Sequence, residues 1–76
     1  MDIDNDKIDD TVLALLYLSL GRDMRAWKSF DWEVMSRLHE KGFIHDPVNK
    51  VKSVLLTEEG AARSERLFGE FFAKRG

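Results

Sequence analysis

Two histidines, each followed by an acidic residue, are the first candidates for chemistry in this sequence. They form the pairs His39-Glu40 and His45-Asp46, and imidazole and carboxylate are both common metal ligands. Their spacing, however, matches no zinc motif. The aspartates within 2–6 suggest a calcium loop, but this segment lacks the loop glycine and the distal bidentate glutamate. We therefore expect no metal site.

Covalent and cofactor chemistry have equally little support. The chain contains no cysteine, which excludes thiol nucleophiles, thiolate metal sites and disulfides. It has no glycine-rich phosphate loop, and no Ser/His/Asp order that a chain of 76 residues could enclose in a pocket. We expect a protein that is not an enzyme and that needs no cofactor.

The basic side chains raise the alternative of nucleic-acid binding. Five aspartates and one lysine give the first ten residues a charge of −4, whereas 21–56 carry seven basic and five acidic residues, a charge of +2. A nucleic-acid-binding protein normally has a concentrated basic face, so the charge disfavours this partner. If DNA is bound, the expected contacts are Arg22, Arg25, Lys28, Arg37, Lys50 and Lys52.

Helix 1 is expected from about Asp6 or Asp9 to Leu20, with Gly21 as a left-handed residue after its end. After the first turn, apolar residues lie on almost every side of this helix, whereas an ordinary surface helix keeps one polar face. The helix is therefore either central to the fold or shared with a second copy, and we favour a homodimer. The residues proposed for a dimer or partner interface are Leu13, Tyr17, Leu20, Trp32, Phe71 and Phe72.

The segment 22–30 fits either a short helix or an irregular loop, in which Trp27 and Phe30 fill the base of the core. A second helix then covers 31–41, with Asp31 as its N-cap and Gly42 at its end. Its outward residues would be Trp32, Glu33, Ser36, Arg37 and Glu40, and the two glutamates would repel DNA.

A β-hairpin is expected over 43–56, with strands at 43–46 and 51–56 joined by a turn at 47–50. Thr57 is a good N-cap for the last helix, because Glu58 and Glu59 follow in the first turn, where carboxylates are favoured. This helix should continue to about Lys74, with a wide apolar stripe that includes Phe68, Phe71 and Phe72.

Length and patterning indicate one domain over 1–76, with 1–5 frayed. The acidic N-terminus does not resemble a signal peptide, and the most apolar stretch, 12–20, is shorter than the ~20 residues that a bilayer crossing needs. We expect a cytoplasmic protein with no membrane partner.

Two sequence segments resemble parts of known families. Leu38-His39-Glu40-Lys41-Gly42-Phe43-Ile44 and Val54-Leu55-Leu56-Thr57-Glu58-Glu59-Gly60 resemble the recognition-helix end, wing and closing helix of small bacterial winged-helix regulators, such as the antibiotic-resistance and phenolic-acid families. The whole chain is similar to a small bacterial family of unknown function, through Arg25-Ala26-Trp27-Lys28, Phe30-Asp31-Trp32 and 38–42. The first resemblance implies a scaffold, and fold alone does not assign a function.

The sequence therefore predicts an α+β, mostly α, winged-helix-like domain: a helix, a loop or short helix, a second helix, a two-stranded hairpin and a long C-terminal helix. Its expected role is that of a non-catalytic, homodimeric protein-interaction module. The alternative is a transcription regulator that binds DNA through helix 31–41 and the wing at 43–56.

Overall fold

The fold is α+β and mostly helical, and its described residues form three α-helices and a two-stranded antiparallel sheet. In the computed structural model, which describes residues 1–27, 31–47 and 53–74, the order is α1 (Asn5–Leu16), β1 (Arg25–Trp27), α2 (Trp32–Glu40), β2 (Ser53–Leu55) and α3 (Glu58–Phe72). A 3₁₀ turn over Tyr17–Ser19 extends α1. The central helix is α1, which packs most extensively against α3 and also contacts α2.

The start of α1 lies slightly before the position predicted from sequence. Asp4 is the N-cap and accepts a hydrogen bond from the backbone N–H of Lys7 at 3.0 Å. Asp9, expected as an alternative cap, lies inside the helix and is fully buried. Because Asp4 satisfies one of the free donors of the first turn, the helix begins at Asn5.

The left-handed residue expected at Gly21, after helix 1, lies at a different position in the structure. Gly21 does not have a positive φ; in this part of the described chain the positive φ is at Met24, at 66°. The chain therefore reverses three residues later than predicted. The Met24 carbonyl then accepts the backbone N–H of Leu56 at 2.7 Å, which ties this turn to the start of α3.

The segment predicted as a short helix or a loop instead contains strand β1. Arg25, Ala26 and Trp27 pair antiparallel with Leu55, Val54 and Ser53 of β2. Ala26 and Val54 are both buried, so this pair joins the sheet to the core. In the described part of the segment, 22–24 form a turn and 25–27 are extended, so no helix forms there. The predicted position of Phe30 lies outside the described residues, as does the Trp27 side chain.

The C-terminus of α2 forms as the sequence predicts. Gly42 adopts φ 81°, its N–H bonds to the His39 carbonyl at 3.0 Å, and the N–H of Phe43 bonds to the Leu38 carbonyl at 3.0 Å. These two bonds are those of a Schellman motif, in which glycine adopts the left-handed conformation at little cost. At the other end Asp31 is the N-cap, although its side chain makes no capping hydrogen bond.

The described residues of the predicted hairpin, 43–47 and 53–56, pair over a short distance. Ile44 makes a single antiparallel bridge with Leu56, supported by the hydrogen bond from the N–H of His45 to the Leu55 carbonyl at 2.8 Å. The next hydrogen-bonded pair in this register would need an N–H at position 47, and proline has none. Strand β2 therefore pairs chiefly with β1, and the predicted turn and return strand at 48–52 lie outside the described residues.

Thr57 caps α3 as predicted. Its hydroxyl accepts the backbone N–H of Gly60 at 2.9 Å and donates to the Gly42 carbonyl at 2.7 Å, which links the ends of α2 and α3. Gly60 packs directly on the backbone of Phe43, and a Cβ at this position would overlap the Phe43 carbonyl oxygen. The core between these elements consists mainly of the aliphatic residues Leu13, Leu16, Leu38, Ile44, Val54 and Leu56.

Candidate interaction surface

The functional question for this fold centres on α1, because its sides face three different environments. One side contacts α2, a second contacts α3, and a third carries Asp4, Ile8, Thr11, Leu15 and Leu18 at helical spacing of three and four residues. We call this third side the α1 open face. Among the described helices, none packs on the α1 open face.

The side toward α2 is held by a buried carboxylate. The Asp9 side chain is fully buried; its two oxygens accept the Arg37 Nε at 3.0 and 2.9 Å, and the Arg37 Nη2 lies 2.8 Å from Oδ1. The Lys41 Nζ bonds to Asp9 at 2.9 Å and to the exposed Asp6 at 2.9 Å. Two cations thus share one buried anion, and the whole cluster joins the start of α1 to the end of α2.

This cluster shifts the pKa of each of its central members. Burial alone raises the pKa of Asp9, but the hydrogen bonds and charges of Arg37 and Lys41 outweigh it and hold the pKa below its ordinary value. The hydrogen bond to Asp9 is the main reason that the pKa of Arg37 is raised. For Lys41, burial opposes the charged form, yet its bonds to Asp6 and Asp9 raise the pKa. All three groups are therefore charged near pH 7, and the two cations stabilise the buried carboxylate.

The side toward α3 combines polar and aromatic contacts. The buried Ser64 hydroxyl donates to the Leu13 carbonyl at 2.6 Å, and Arg63 forms an ion pair with Asp10 at 3.2 Å. The Arg63 guanidinium also lies 5.1 Å from the centre of the Phe43 ring. This side of α1 is therefore occupied within the chain.

An aromatic row extends this contact toward the surface. The rings of Tyr17 and Phe68 are 5.1 Å apart, those of Phe68 and Phe72 are 5.3 Å apart, and Phe71 meets Phe72 edge-on at 6.0 Å. The Lys7 ammonium lies 4.1 Å from the centre of the Phe71 ring. Tyr17 and Phe72 remain 36% and 45% exposed, so the row ends in an apolar surface.

The α1 open face is apolar and uncovered along most of its length. Leu18 is 72% exposed and Ile8 is 37% exposed, and Thr11 and Leu15 between them are half-buried. The Thr11 hydroxyl donates to the Lys7 carbonyl at 2.7 Å, so its hydrogen-bonding need is met within the helix. Beside this face, a shallow groove is lined by Ile3, Asp4, Lys7, Ile8, Thr11 and Val12.

The residues predicted for DNA contact do not form one described surface. Arg22 and Arg25 are exposed near the turn before β1, where Arg25 lies 4.0 Å from Asp23. Arg37, which we expected on the outward face of α2, is instead held by Asp9. Lys28, Lys50 and Lys52 lie outside the described residues.

The residues predicted for a dimer or partner interface divide into two groups. Leu13 is fully buried and Leu20 and Phe71 pack against the core, so Leu13 belongs to the interior of the chain and its prediction as a surface residue is wrong. Tyr17, Phe72 and Trp32 are exposed. Trp32 lies on α2, and its 55% exposure leaves it open to solvent.

Sequence reasoning missed the most informative residues on either side of α1. Ile8 and Leu18 were recognised as apolar, but which of the several apolar stripes stays uncovered depends on where α2 and α3 pack. From the sequence, Asp9 is one of two alternative capping residues at the start of helix 1. The available signal was its position one turn beyond the N-cap, on the same helical side as the apolar Val12, Leu13 and Leu16.

Neither a metal site nor a membrane crossing is indicated. Across residues 1–27, 31–47 and 53–74, no group of three or more histidine, aspartate and glutamate side chains could hold a metal ion. Over the same part of the chain, no helix has the length and apolar character needed to cross a bilayer.

Comparison with known proteins places the chain in a family. Residues 4–74 match the family described as "Domain of unknown function (DUF6429)". The chain is also 60% identical over 74 residues to "Uncharacterized protein y4hR" of Sinorhizobium fredii (strain NBRC 101917 / NGR234), covering 97% of this chain and 100% of that protein. No solved structure matches.

The chain therefore belongs to this family of unknown function, which has a bacterial member of nearly the same length. The resemblance to a small bacterial family of unknown function is confirmed. Neither the family description nor the name of the relative mentions a regulator or an activity.

Proposed function

We propose that this protein is a non-catalytic interaction module on a winged-helix-like scaffold, and that it associates with a second copy of itself through the α1 open face. The observation that carries the proposal is the exposure of Ile8 and Leu18 on a helix whose other sides are already covered by α2 and α3. A single exposed leucine is ordinary, whereas a continuous apolar stripe marks an interaction site.

The aromatic row adds to this surface at its α3 side. Tyr17 and Phe72 expose part of their rings next to α1, and aromatic side chains contribute large contact areas at interfaces. Full burial of an isoleucine or leucine stabilises by about 1.5–3 kcal/mol, and a symmetric dimer gains each contribution twice. Because association itself costs about 4 kcal/mol or more and part of each side chain is already buried within the chain, we expect an affinity no tighter than micromolar.

A second copy is the favoured partner because of the size of the chain. A domain of 76 residues has little core, and small domains are commonly supplemented by disulfides, metals or oligomerisation. Disulfides are excluded by the absence of cysteine. Burial of the α1 open face would supply the missing apolar contact.

The non-catalytic part of the proposal is supported by the state of the buried charges. Catalytic acids and bases usually lie in a cleft where a substrate can reach them. Asp9, the buried carboxylate of the described chain, is instead neutralised by Arg37 and Lys41. Its role is therefore to connect α1 to α2.

The test is sedimentation equilibrium from about 1 to 200 μM, a range that spans micromolar affinities, on wild type, Leu18→Glu and Ala62→Glu. Ala62 is an exposed α3 residue, so its substitution adds the same charge away from the α1 open face. We expect dimer formation by wild type and A62E but only monomer for L18E. Circular dichroism should show the same helix content in all three.

A wild-type protein that is monomeric at the highest concentration would contradict the proposal. So would a dimer that L18E and A62E weaken equally, because the α1 open face would then not be the interface.

A further inference from the structure

The order of residues along the α1 open face indicates how two copies would meet. We propose that α1 packs antiparallel against α1 of a second copy, about a two-fold axis that passes near the level of residue 13. Ile8 would then contact Leu18 of the partner subunit, and Thr11 would contact Leu15 of the partner subunit. This inference depends on the proposed self-association and specifies its geometry.

The spacing of the face suits this inversion. Ile8, Thr11, Leu15 and Leu18 are separated by intervals of three, four and three residues. These intervals are the same in either direction along the chain. An antiparallel copy therefore places Ile8 opposite Leu18 of the partner subunit and Thr11 opposite Leu15 of the partner subunit, so that the same residues of both copies meet, as in an isologous interface.

The charges at the two ends of α1 favour antiparallel over parallel packing. Asp2 and Asp4 are exposed at the start of α1, where Asp4 lines the groove. The other three aspartates of the first ten residues are paired within the chain with Arg37, Lys41 and Arg63, so Asp2 and Asp4 against Lys7 leave a local charge of −1. Beyond the other end, Arg22, Asp23 and Arg25 give a local charge of +1 and are exposed. Antiparallel packing brings the acidic end of each copy to the basic end of the other, whereas parallel packing brings two acidic ends together. Opposed helix dipoles add to this preference.

The shapes of the two halves of the face are complementary as well. Leu18, at 72% exposure, projects from one end of the face, and the apolar groove that includes Ile3, Ile8 and Val12 lies at the other. An antiparallel pair inserts each Leu18 into the groove of the other copy. Near the axis, Thr11 is small and its hydroxyl is already bonded to the Lys7 carbonyl, so no polar group loses its partner on burial.

Disulfide cross-linking tests the geometry directly, because the natural chain has no cysteine. Ile8→Cys and Leu18→Cys, mixed in equal amounts under mild oxidation, should form the mixed I8C–L18C dimer in preference to either symmetric product. Ten residues of helix separate the two positions by about 15 Å within one copy, which is too far for an internal disulfide. The doubly substituted chain should therefore give a covalent dimer, and Ala62→Cys is the control for random collision.

Three results would overturn or limit the inference in distinct ways. Symmetric I8C–I8C and L18C–L18C products would indicate parallel packing and overturn the geometry. Cross-linking no greater than that of A62C, with a wild-type dimer still seen in sedimentation, would also overturn the geometry but leave self-association intact. A wild-type monomer would refute the proposed function itself.

A charge variant gives an independent readout. In the antiparallel dimer, Arg22 lies at the end of α1 that meets the acidic end of the other copy. Arg22→Glu replaces this exposed attraction by a repulsion and should weaken dimerisation about twofold to fivefold at low salt. The effect should vanish near 1 M salt, where the screening length falls to about 3 Å. An R22E dimer as strong as wild type at low salt would contradict the antiparallel arrangement of charges.

Discussion

Substitution of the buried carboxylate, Asp9→Asn, should destabilise the fold more than any other isosteric change on α1. The Asp9 oxygens accept the Arg37 Nε at 2.9 and 3.0 Å and the Lys41 Nζ at 2.9 Å, so an amide would leave two cations without their shared counterion. Removal of one partner of a buried ion pair costs about 3–5 kcal/mol. The Arg37 and Lys41 side chains are 27% and 32% exposed, so water can partly rehydrate them. We therefore expect a loss of about 3 kcal/mol, the lower end of that range.

The size of this loss makes it measurable. A domain of 76 residues is expected to have a free energy of unfolding of about 4–11 kcal/mol. With the urea dependence of a small domain, the D9N midpoint should fall by about 2–3 M with an unchanged slope. Unfolding is followed by circular dichroism at one fixed protein concentration, because self-association also contributes to apparent stability.

The matched control is Asp6→Asn. Asp6 bonds to the same Lys41 at 2.9 Å, but its side chain is 87% exposed, so its loss should leave the midpoint nearly unchanged. If D9N and D6N shifted the midpoint equally, the connection of α1 to α2 through a buried charge would be refuted.

The remaining predictions concern pH and backbone packing. The pKa of Asp9 is lowered in the folded chain. The stability that its carboxylate gives to the fold is therefore fully present above the carboxyl range of the unfolded chain, near pH 4. It is lost as the pH falls through the lowered pKa. The stability of wild type should therefore decline in acid more steeply than that of D9N, and parallel acid limbs would contradict this. Gly60→Ala should lower the free energy of unfolding by about 1–3 kcal/mol or more, because the added Cβ would overlap the neighbouring backbone. Gly69 has open space around it, so Gly69→Ala should raise the free energy of unfolding by about 0.5–1 kcal/mol. Equal effects of the two substitutions in urea unfolding would refute the packing argument. Thr57→Ala should cost about 1 kcal/mol because the hydroxyl caps α3, and Asp31→Ala should cost less, since that side chain makes no capping bond.

Local features of the sequence determined that the helices form, and they determined the end of α2 and the start of α3. Gly42 adopts a left-handed conformation, and the Thr57 hydroxyl accepts an N–H three residues later. Both effects involve only neighbouring residues, so the residue type alone predicts the helix end at each position. Helix existence follows equally from apolar spacing within a single segment. The all-round apolar character of α1 also indicated that this helix would contact several neighbours, and α2 and α3 do cover two of its sides.

Features that join distant parts of the chain were decided only by the tertiary structure. Strand β1 is three residues long and has no pattern of its own; it is extended because β2, 28 residues later in the Arg25–Trp27 to Leu55–Ser53 register, satisfies its backbone. The ion pair between Asp9 and Arg37 is likewise decided by the tertiary structure. From the sequence alone, Arg37 is a candidate for DNA contact and Asp9 a candidate helix cap. The packing of α2 on α1 brings the two side chains within 3.0 Å. The position of the α1 open face is likewise set by where the other helices pack, because spacing shows which residues share a side of a helix but not which side stays uncovered.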